Sequence, residues 1–354
     1  MQPPPGVKEN IPLAPLTTLE LGGPARFYAV AQTEGQLREL VTWASKAGLP
    51  LLLIGGGSNL VISDAGFDGL AIRVQILGAR VEPNGEVFAS AGEPWDSLVE
   101  QTVAAGLSGL ECLSGIPGAA GAAPIQNVGA YGREVSELLT EVRVLDLRTG
   151  AVQSLLPDDC GFGYRDSRFK RSPGRHAVLS VRFALAPGAP AEVRYAELAR
   201  RLEGQTDPRA VRAAVLELRR SKSMVWDLED PNHRSVGSFF TNPVVEAEVA
   251  DAVGERARAL GIVERVEDMP NHPAPDGRRK LSAAWLIERS GVAKGLRRGA
   301  VGISSRHCLA LVHHGGGTTA ELLALAQLVR QAVSERFGVE LEPEPNLIGC
   351  ALPE

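Results

Sequence analysis

The segment that most constrains this chain is residues 114–132, which reads Ser-Gly-Ile-Pro-Gly-Ala-Ala-Gly-Ala-Ala-Pro-Ile-Gln-Asn-Val-Gly-Ala-Tyr-Gly. It holds five glycines, five alanines and two prolines, and it has no charged residue. Glycine and proline at this density exclude a helix or a strand interior, and the apolar composition argues against a solvated linker. We therefore expect an ordered, buried loop. Its small residues either allow two elements to cross closely or let the backbone bind a cofactor.

The composition indicates a globular protein without nucleic-acid or membrane partners. The 354 residues are enough for two or three domains, and 44% are hydrophobic and 22% charged. The net charge of -5 and the absence of basic clusters mixed with aromatic residues argue against nucleic-acid binding. No apolar run is long enough to cross a bilayer, and residues 1–6 read as a flexible lead-in rather than a signal peptide.

The four cysteines and six histidines do not form a metal or disulfide pattern. No C-x-x-C pair is present, so we expect neither a zinc site nor a disulfide framework, as in a reducing cytoplasm. His313 and His314 are adjacent and would point to opposite faces of a strand, so we interpret them as loop or strand-end residues. We expect no metal.

A helix and a strand precede a second glycine-rich segment. Thr33 to Gln36 predicts a helix start and Gly48 its C-terminal cap. Residues 49–54 then read as a buried strand that runs into Gly55, Gly56, Gly57, Ser58 and Asn59. Free backbone N–H groups at this position are typical of an anion-binding nest, and a plain glycine-rich turn is the alternative.

Strands dominate the first half of the chain and helices the second. We predict strands at 87–91, 141–147, 151–155 and 176–185. We predict helices at 95–105, from Asp207 onward, and at 244–260, 281–289 and 319–337.

Three polar segments place reactive groups among aromatic or proline residues. Arg165 follows Gly-Phe-Gly-Tyr and could bind a planar carboxylate, or it could form a structural pair with Asp166. Ser238 precedes two phenylalanines and could donate a proton in a dry site, or it could serve as a cap or turn residue. Glu344 lies between two prolines and could act in acid–base chemistry, or it could belong to a surface turn.

Together these segments resemble the UDP-N-acetylenolpyruvoylglucosamine reductase family. The family motifs are G-x-G-S-N, I-P-G-x-x-G-x-x-P-I-Q-N-x-G-A-Y-G, F-G-Y-R-D-S-x-F-K, G-S-F-F-x-N-P-V and L-E-P-E-x-x-x-I-G. They match residues 55–59, 116–132, 162–170, 237–244 and 341–349 in the same order. Five ordered matches across the chain are far more specific than any single glycine-rich motif.

The resemblance implies an α+β fold with a two-part FAD-binding module of the vanillyl-alcohol-oxidase (PCMH) kind and a smaller α/β substrate-binding domain. The expected parts are a lead-in at 1–20, an FAD domain at 21–187 split near 78, and a connecting segment at 188–222. A substrate domain at 223–337 and a C-terminal segment at 338–354 that returns to the FAD domain complete the chain.

The resemblance also implies a reaction. The expected activity is the NADPH-dependent, FAD-mediated reduction of the enolpyruvyl ether of UDP-N-acetylglucosamine to UDP-N-acetylmuramate, in peptidoglycan precursor synthesis. FAD is expected to be tightly but non-covalently bound, and NADPH is the hydride donor. The partners are then small molecules only, and we expect a cytoplasmic monomer.

Residue roles transfer to this chain position by position. The catalytic arginine, serine and glutamate of the family fall on Arg165, Ser238 and Glu344. We expect burial to raise the pKa of Glu344 and so favour its protonated form. The substrate-binding candidates are Tyr195 as a substrate-capping tyrosine, Arg219, Lys222 and Asn242. The cofactor-binding candidates are Gly55, Gly56, Gly57, Ser58, Asn59, Ile116, Pro117, Gly118, Gly121, Gln126, Asn127, Gly129, Ala130, Tyr131, Gly132 and Val178.

Some positions depart from the family pattern, and two other functions stay open. Residues 223–237 lack the usual proline after Lys222 and the usual alanine before Gly237, so the path of this segment is undetermined. Thr241 stands where lysine is common. One alternative is another PCMH-type flavoenzyme, which would lack Ser238 and Glu344 in these settings. The other is a UDP-sugar-binding protein without turnover, against which the intact catalytic residues argue.

Overall fold

Helices and strands alternate along residues 2–353, the part of the chain that the computed structural model describes. The α-helices are α1 (Glu34–Lys46), α2 (Trp95–Ala104), α3 (Arg168–Arg171), α4 (Ala196–Leu202), α5 (Pro208–Ser221), α6 (Ala247–Ala259), α7 (Ala283–Arg289) and α8 (Thr319–Phe337). The strands are β1 (Lys8–Pro12), β2 (Pro24–Ala31), β3 (Leu51–Ile54), β4 (Leu60–Ile62), β5 (Phe67–Val74), β6 (Ala79–Val81), β7 (Glu86–Ser90), β8 (Leu107–Ser108), β9 (Gly129–Ala130), β10 (Arg133–Glu134), β11 (Leu139–Asp146), β12 (Val152–Leu155), β13 (His176–Ala184), β14 (Ala186–Pro187), β15 (Val244–Val245), β16 (Asn271–Pro273), β17 (Arg279–Leu281), β18 (Arg297–Arg298), β19 (Val301–Ile303), β20 (Leu311–His313) and β21 (Asn346–Ile348). This mixed content confirms the α+β class.

The chain folds into two units. The first contains the chain up to Leu16 together with Gly23–Ser58 and Gly66–Asp227. The second contains Thr17–Gly22, Asn59–Ala65 and the chain from Leu228 onward. Two short segments of the N-terminal half therefore belong to the second unit, which the linear boundaries at 20 and 223 did not predict.

The first sheet of the first unit has the order β1-β2-β5-β3, with β1 antiparallel and the other pairs parallel. Helix α1 covers it, and the Thr33 hydroxyl accepts a hydrogen bond from the Gln36 amide at 3.1 Å. Gly48 follows the helix with φ +67°, as the predicted C-terminal cap requires. Strand β1 lies within the predicted lead-in and pairs with β2, so residues 8–12 are an edge strand.

The second sheet of the same unit is antiparallel throughout, in the order β12-β11-β13-β7-β6. A bulge in β13 leaves Leu179 without a partner on β11, because Arg143 pairs with Ser180 and Val144 with Val178. The bulge shifts the alternation by one residue. Ala177 and Leu179 therefore pack with the first sheet, whereas Val178, Val181 and Phe183 join the core formed with α2.

Helices α4 and α5 form a small helical layer in the first unit. Asp207 caps α5 by accepting from two helix amides, and Pro208 occupies the first turn as predicted. The Asp96 carboxylate binds the Arg212 guanidinium through two hydrogen bonds of 2.6 and 3.0 Å and accepts from the Gly115 amide at 2.6 Å. This contact attaches α5 to the first residues of the glycine-rich loop.

The second unit is built around α8, which runs from Thr319 to Phe337 as the sequence predicted. Thr318 and Glu321 form a capping box, and Gly338 ends the helix with φ +72°. Its apolar side packs with α6 and α7 and with the sheets β15-β17-β16 and β18-β19-β20. Strand β21 runs parallel to β4, so the C-terminal segment pairs with residues 60–62, which lie in this unit and not in the first.

Two predicted helices of this unit begin later than expected. Val244 and Val245 form β15 and α6 starts at Ala247, because the valines pair with β17. Leu281 belongs to β17, and α7 starts at Ala283. In both cases a β-branched or apolar residue at the predicted helix start is used in strand pairing, a long-range contact that local pattern does not reveal.

Candidate active site

The glycine-rich segment 55–59 follows β3 directly, as predicted. The amides of Gly56, Gly57 and Ser58 have no hydrogen-bond acceptor within residues 2–353. The Ser58 hydroxyl donates to the Pro117 carbonyl at 2.9 Å, and a Cβ built on Gly56 would lie 2.6 Å from the Gly118 Cα. The two glycine-rich segments therefore cross in direct backbone contact and leave consecutive N–H donors free, the arrangement expected of an anion-binding nest.

The segment 114–132 is an ordered loop, as predicted, and Asn127 holds it. Asn127 is 1% exposed and has φ +44°. Its side-chain amide donates to Glu134 at 2.7 Å and to the Gly163 carbonyl at 3.0 Å, and its oxygen accepts from the Ser136 amide at 3.1 Å. Both amide hydrogens are used within the protein, so the structure gives the Asn127 side chain an internal role. Its predicted cofactor contact would have to come from elsewhere on the residue.

Several glycines of this loop make room for protein atoms. A Cβ on Gly121 would lie 2.6 Å from the Ala91 Cβ, and one on Gly129 would lie 2.9 Å from the Arg133 carbonyl oxygen. Gly132 has φ +83°, and a Cβ on it would lie 2.9 Å from the Arg194 Cβ. Both initial explanations of the loop therefore apply, since some glycines serve close packing while the contact of Gly56 with Gly118 shapes the nest.

Arg165 lies on a tight turn in which Gly163 and Asp166 exchange backbone hydrogen bonds of 3.0 and 3.2 Å. Its φ of +50° is uncommon for a residue with a side chain. The Arg165 guanidinium donates to the Gly129 carbonyl at 2.5 Å and lies 5.5 Å from the centre of the Tyr164 ring. Asp166 forms an ion pair with Arg171.

Three hydrogen bonds dock this turn on the loop. Asn127 reaches Gly163, Arg165 reaches Gly129, and the Ser167 hydroxyl donates to the Ile125 carbonyl at 2.6 Å. Lys170, which the sequence analysis did not single out, donates from Nζ to the Arg165 carbonyl at 3.0 Å. The arginine is therefore held against the predicted cofactor loop by contacts on both of its sides.

Ser238 and Glu344 lie on two segments of the second unit whose backbones pair. The Phe239 amide donates to the Leu309 carbonyl at 2.7 Å, and the Glu344 amide donates to the Phe239 carbonyl at 2.8 Å. Phe239 and Phe240 are fully buried and anchor the segment, whereas Ser238 and Glu344 are half-buried. The Ser238 hydroxyl has no hydrogen-bond partner within the described chain, so it is available to a ligand.

Asn59, the last residue of the glycine-rich segment 55–59, belongs to the second unit. Its carbonyl accepts from the Asn346 amide at 3.0 Å, and its side-chain amide makes a long hydrogen bond of 3.5 Å to the Glu344 carbonyl. Asn59, a predicted cofactor-binding residue, thus binds the backbone of the segment that contains Glu344. Arg165 belongs to the first unit, whereas Ser238 and Glu344 belong to the second.

The substrate-binding candidates have separate environments. Tyr195 immediately precedes α4 and is 44% exposed. Its ring contacts the Tyr131 ring edge-on, with the ring centres 5.4 Å apart. Arg219 donates to the Met224 carbonyl at 2.6 Å, and burial lowers its pKa. Its Nε is buried and has no hydrogen-bond partner within residues 2–353. Lys222 forms a 2.7 Å ion pair with Glu197, which the sequence analysis did not identify.

Asn242 and Val178 have clear structural roles. The Asn242 side-chain oxygen accepts from the Ala283 amide at 2.9 Å, at the start of α7. Val178 is 7% exposed and its side chain packs in the core of the second sheet. Contact of the Val178 side chain with a cofactor is therefore not supported, and only its backbone remains a candidate.

The sequence left the path of the segment 223–237 undetermined; residues 223–227 belong to the first unit, and the rest is attached within the second. The Thr18 hydroxyl donates to the Ser235 carbonyl at 2.6 Å, Arg234 pairs with Glu20 at 2.5 Å, and the Arg234 carbonyl accepts from the His313 amide at 2.9 Å. His313 is the last residue of β20, as expected of a strand end. Because the partners come from residues 17–22 and from β20, all remote in the chain, no local signal could have predicted this path.

The residues present fit FAD. A pyrophosphate binds to neighbouring backbone donors, and Gly56, Gly57 and Ser58 offer the three consecutive N–H groups described above, two of them on residues without a Cβ, where Gly118 approaches. Within residues 2–353, no group of three or more histidine, cysteine, aspartate or glutamate side chains is placed to hold a metal ion. In the same range, none of the helices combines the length and apolarity that spanning a membrane requires.

Comparison with known proteins agrees with this arrangement. Residues 25–155 match the family model of an FAD binding domain, and residues 230–348 match that of the UDP-N-acetylenolpyruvoylglucosamine reductase C-terminal domain. The chain is 51% identical over 352 residues to the UDP-N-acetylenolpyruvoylglucosamine reductase of Saccharopolyspora erythraea, covering 96% of this chain and 95% of that protein. It is 50% identical to the corresponding protein of Streptomyces coelicolor, covering 97% and 90%.

A solved structure agrees over the same length. The crystal structure of the reductase from Thermus caldophilus aligns with a TM-score of 0.65 at 28% identity and covers 96% of this chain and 98% of that one. The similarity extends over both units, so both parts of the chain are related to the same kind of protein.

Proposed function

The chain belongs to the UDP-N-acetylenolpyruvoylglucosamine reductase family, and from this we propose which residues carry its reaction. The protein is a flavin-dependent oxidoreductase that reduces UDP-N-acetyl-3-O-(1-carboxyvinyl)-glucosamine to UDP-N-acetylmuramate in peptidoglycan precursor synthesis, with NADPH as reductant. FAD, when bound by the glycine-rich segments 55–59 and 116–132, would supply the hydride chemistry between NADPH and the enolpyruvyl double bond. The residues below bind, orient and protonate the substrate.

Arg165 holds the substrate carboxylate. Addition of a hydride to the outer carbon places negative charge on the inner carbon and on the carboxylate oxygens. A guanidinium fixed before the reaction stabilises that charge without reorganisation. The fixed position of Arg165 on the Gly163–Asp166 turn and its bond to Gly129 support this role.

Ser238 donates the proton to the inner carbon. A serine is a weak acid, far from the pKa of an ordinary catalytic donor at neutral pH. It can serve here because the carbanionic carbon is strongly basic and the backbone that carries the hydroxyl is anchored by the buried Phe239 and Phe240. The absence of any protein partner for the hydroxyl within residues 2–353 supports this assignment.

Glu344 assists the reaction at the substrate carboxylate. The observation that carries the proposal is the 2.8 Å hydrogen bond from the Glu344 amide to the Phe239 carbonyl, which fixes the glutamate beside the serine segment. In its protonated form Glu344 can donate a hydrogen bond to a developing enolate oxygen.

The glycine-rich segments bind FAD, and a separate set binds the UDP-sugar. Gly56, Gly57 and Ser58 would contact the pyrophosphate, and residues 116–132 would follow the rest of the cofactor. Tyr195 would cover the bound substrate, while Arg219 and Lys222 would contact phosphates. The buried, unpartnered Nε of Arg219 supports an anionic ligand there.

The test of this function is a colour change of the purified holoenzyme. NADPH should bleach the yellow protein under anaerobic conditions, and addition of the enolpyruvyl UDP-sugar should restore the colour. UDP-N-acetylglucosamine, which lacks the enolpyruvyl group, is the matched control and should not restore it. Failure to bleach, or equal reoxidation by both sugars, would contradict the proposal.

We also propose that the protein works as a monomer in the cytoplasm. Its cofactors and substrate are small and water-soluble, and the free cysteines suit a reducing compartment. Sedimentation velocity of the holoenzyme should give the mass of one chain, and a dimer mass would contradict the proposed monomer.

A further inference from the structure

Three consecutive residues at the end of the cofactor loop contact the connecting segment that carries Tyr195. The rings of Tyr131 and Tyr195 meet edge-on with their centres 5.4 Å apart. The missing side chain of Gly132 accommodates Arg194, since a Cβ there would lie 2.9 Å from the Arg194 Cβ. The next loop residue, Arg133, bonds Glu192 at 3.0 Å. The two segments therefore pair side by side in opposite directions.

Four charged side chains connect these segments. The Arg194 guanidinium binds both oxygens of Glu192 at 2.7 and 2.8 Å and reaches Glu137 at 2.7 Å. Arg133 also binds Glu137, at 2.7 Å, so each carboxylate is shared by two arginines. Arg194 additionally donates to the Gly132 carbonyl at 3.3 Å, which links the network to the loop backbone.

Both carboxylates of the network are ionised at neutral pH. The hydrogen bond from Arg194 lowers the pKa of Glu192. Burial alone would raise the pKa of Glu137, but the hydrogen bonds from the Glu134 amide and from Arg194 outweigh it and lower that pKa. The network therefore pairs two negative charges with two arginines. Several hydrogen bonds fix its geometry, unlike that of an isolated surface ion pair.

The burial of Arg133 distinguishes this cluster from a solvated surface pair. Its side chain is only 10% exposed, whereas Glu192 and Arg194 are 56% and 43% exposed. The network thus has an anchored end on the loop and a more exposed end on the connecting segment. A side chain such as Tyr195 that projects into solvent loses rotational freedom when its neighbour is fixed in this way.

We propose that Arg194 is a positioning residue for Tyr195: it fixes the connecting segment to the loop residues 131–133, so that the tyrosine ring stands ready over the substrate. The inference rests on the proposed function in one respect, namely that Tyr195 covers the UDP-sugar. In this role Arg194 acts through Tyr195 and needs no contact of its own with substrate or cofactor. Tyr131 and Gly132 end the cofactor loop and Arg133 directly follows it. The network therefore also links the conformation of that loop to the position of the Tyr195 ring.

The first experiment compares Arg194→Ala with Arg201→Ala in the full holoenzyme. Arg201 forms an ion pair with Glu217 at the surface of α4 and is the matched control. Arg194→Ala should raise KM for the enolpyruvyl UDP-sugar about tenfold, the range of a charge-assisted hydrogen bond, while kcat and the rate of flavin reduction by NADPH stay unchanged. Glu192→Gln keeps the size of the side chain and should also raise KM. It serves as the test variant if Arg194→Ala folds poorly.

The second experiment is a double-mutant cycle with Tyr195→Ala. If Arg194 acts through the tyrosine, Arg194→Ala should raise KM no further in the Tyr195→Ala background. Equal, additive effects would overturn the positioning role, as would a KM raised by Tyr195→Ala but not by Arg194→Ala or Glu192→Gln. An unchanged KM in Tyr195→Ala would instead contradict the covering role of Tyr195 in the proposed function.

Discussion

The backbone amide of Glu344 donates a hydrogen bond to the carbonyl oxygen of Phe239 at 2.8 Å, which holds the glutamate beside the residue that follows Ser238. The bridge between Phe240 and Pro343 extends this contact by one residue. The two candidate catalytic groups of the second unit thus share a short antiparallel pairing. Their relative position depends on backbone bonds and a buried aromatic pair, not on flexible side chains.

Ser238→Ala should separate the two half-reactions. Flavin reduction by NADPH should proceed at the normal rate, whereas reoxidation by the enolpyruvyl UDP-sugar should slow by about 10²- to 10⁴-fold, the usual contribution of a positioned proton donor. Anaerobic stopped-flow absorbance measures both rates. Ser290→Ala removes another half-buried hydroxyl of the same unit and should leave both rates unchanged. Equal slowing of reduction and reoxidation would argue against a proton-donor role.

Gly56→Ala should weaken FAD binding and lower stability. The new methyl group would lie 2.6 Å from the Gly118 Cα, so one of the two backbone segments must move. Overpacking of this kind costs about 1–3 kcal/mol. The ratio of flavin to protein absorbance after gel filtration should fall, together with the melting temperature.

The control for that variant is Gly35→Ala in α1. The nearest atom to a Cβ at Gly35 is the Thr33 hydroxyl oxygen at 3.8 Å, so the methyl group fits. Replacing a helical glycine by alanine should stabilise the fold by about 0.5–1 kcal/mol and leave the flavin content unchanged. Normal flavin content in Gly56→Ala would contradict the assignment of the nest.

The cysteines should be unreactive in the native protein. Burial raises the pKa of Cys112 and Cys308 to about 12 and that of Cys160 to about 11. The nucleophilic thiolate is therefore scarce at pH 8. Ellman's reagent should react first with the half-buried Cys350, and the other thiols should react only in denaturant. Rapid labelling of Cys112 in the folded enzyme would disagree with its buried position.

Stability should fall as the pH drops below about 6.5, the ordinary pKa of histidine, in part because of His176. Burial and the nearby Arg168 lower the pKa of His176 in the folded protein. Between the lowered folded value and the unfolded value, the unfolded chain binds more protons, so the free energy of unfolding decreases with decreasing pH. Urea unfolding at pH 7.5 and 5.5 measures the change. His176→Gln should reduce this difference, and an identical difference in both proteins would exclude the histidine as a source.

Local signals predicted much of the fold and the chemistry of the site. The caps at Thr33 and Asp207 and the long helix Thr319–Phe337 could be read because capping and helical periodicity depend on neighbouring residues. The order of the motifs around Arg165, Ser238 and Glu344 carried the resemblance to the family, and that resemblance implied the reaction. Composition likewise identified residues 114–132 as a buried loop.

Pairings between distant segments could not be predicted from the sequence. Strand β1, the bulge at Leu179 and the pairing of β21 with β4 each require a partner that is remote in the chain. Strand formation depends on that partner more than on intrinsic preference. The same reason explains why the helices starting at Ala247 and Ala283 were predicted too early.

The sequence by itself determined which residue types are available and in what order, and these were enough to identify the family and its chemistry. Only the tertiary structure decided what individual loop residues do. Gly132 makes room for Arg194. The Asn127 side chain forms hydrogen bonds with Glu134, Gly163 and Ser136. A motif fixes the identity of a residue, but its use depends on which atoms approach it, and those atoms come from segments far along the chain.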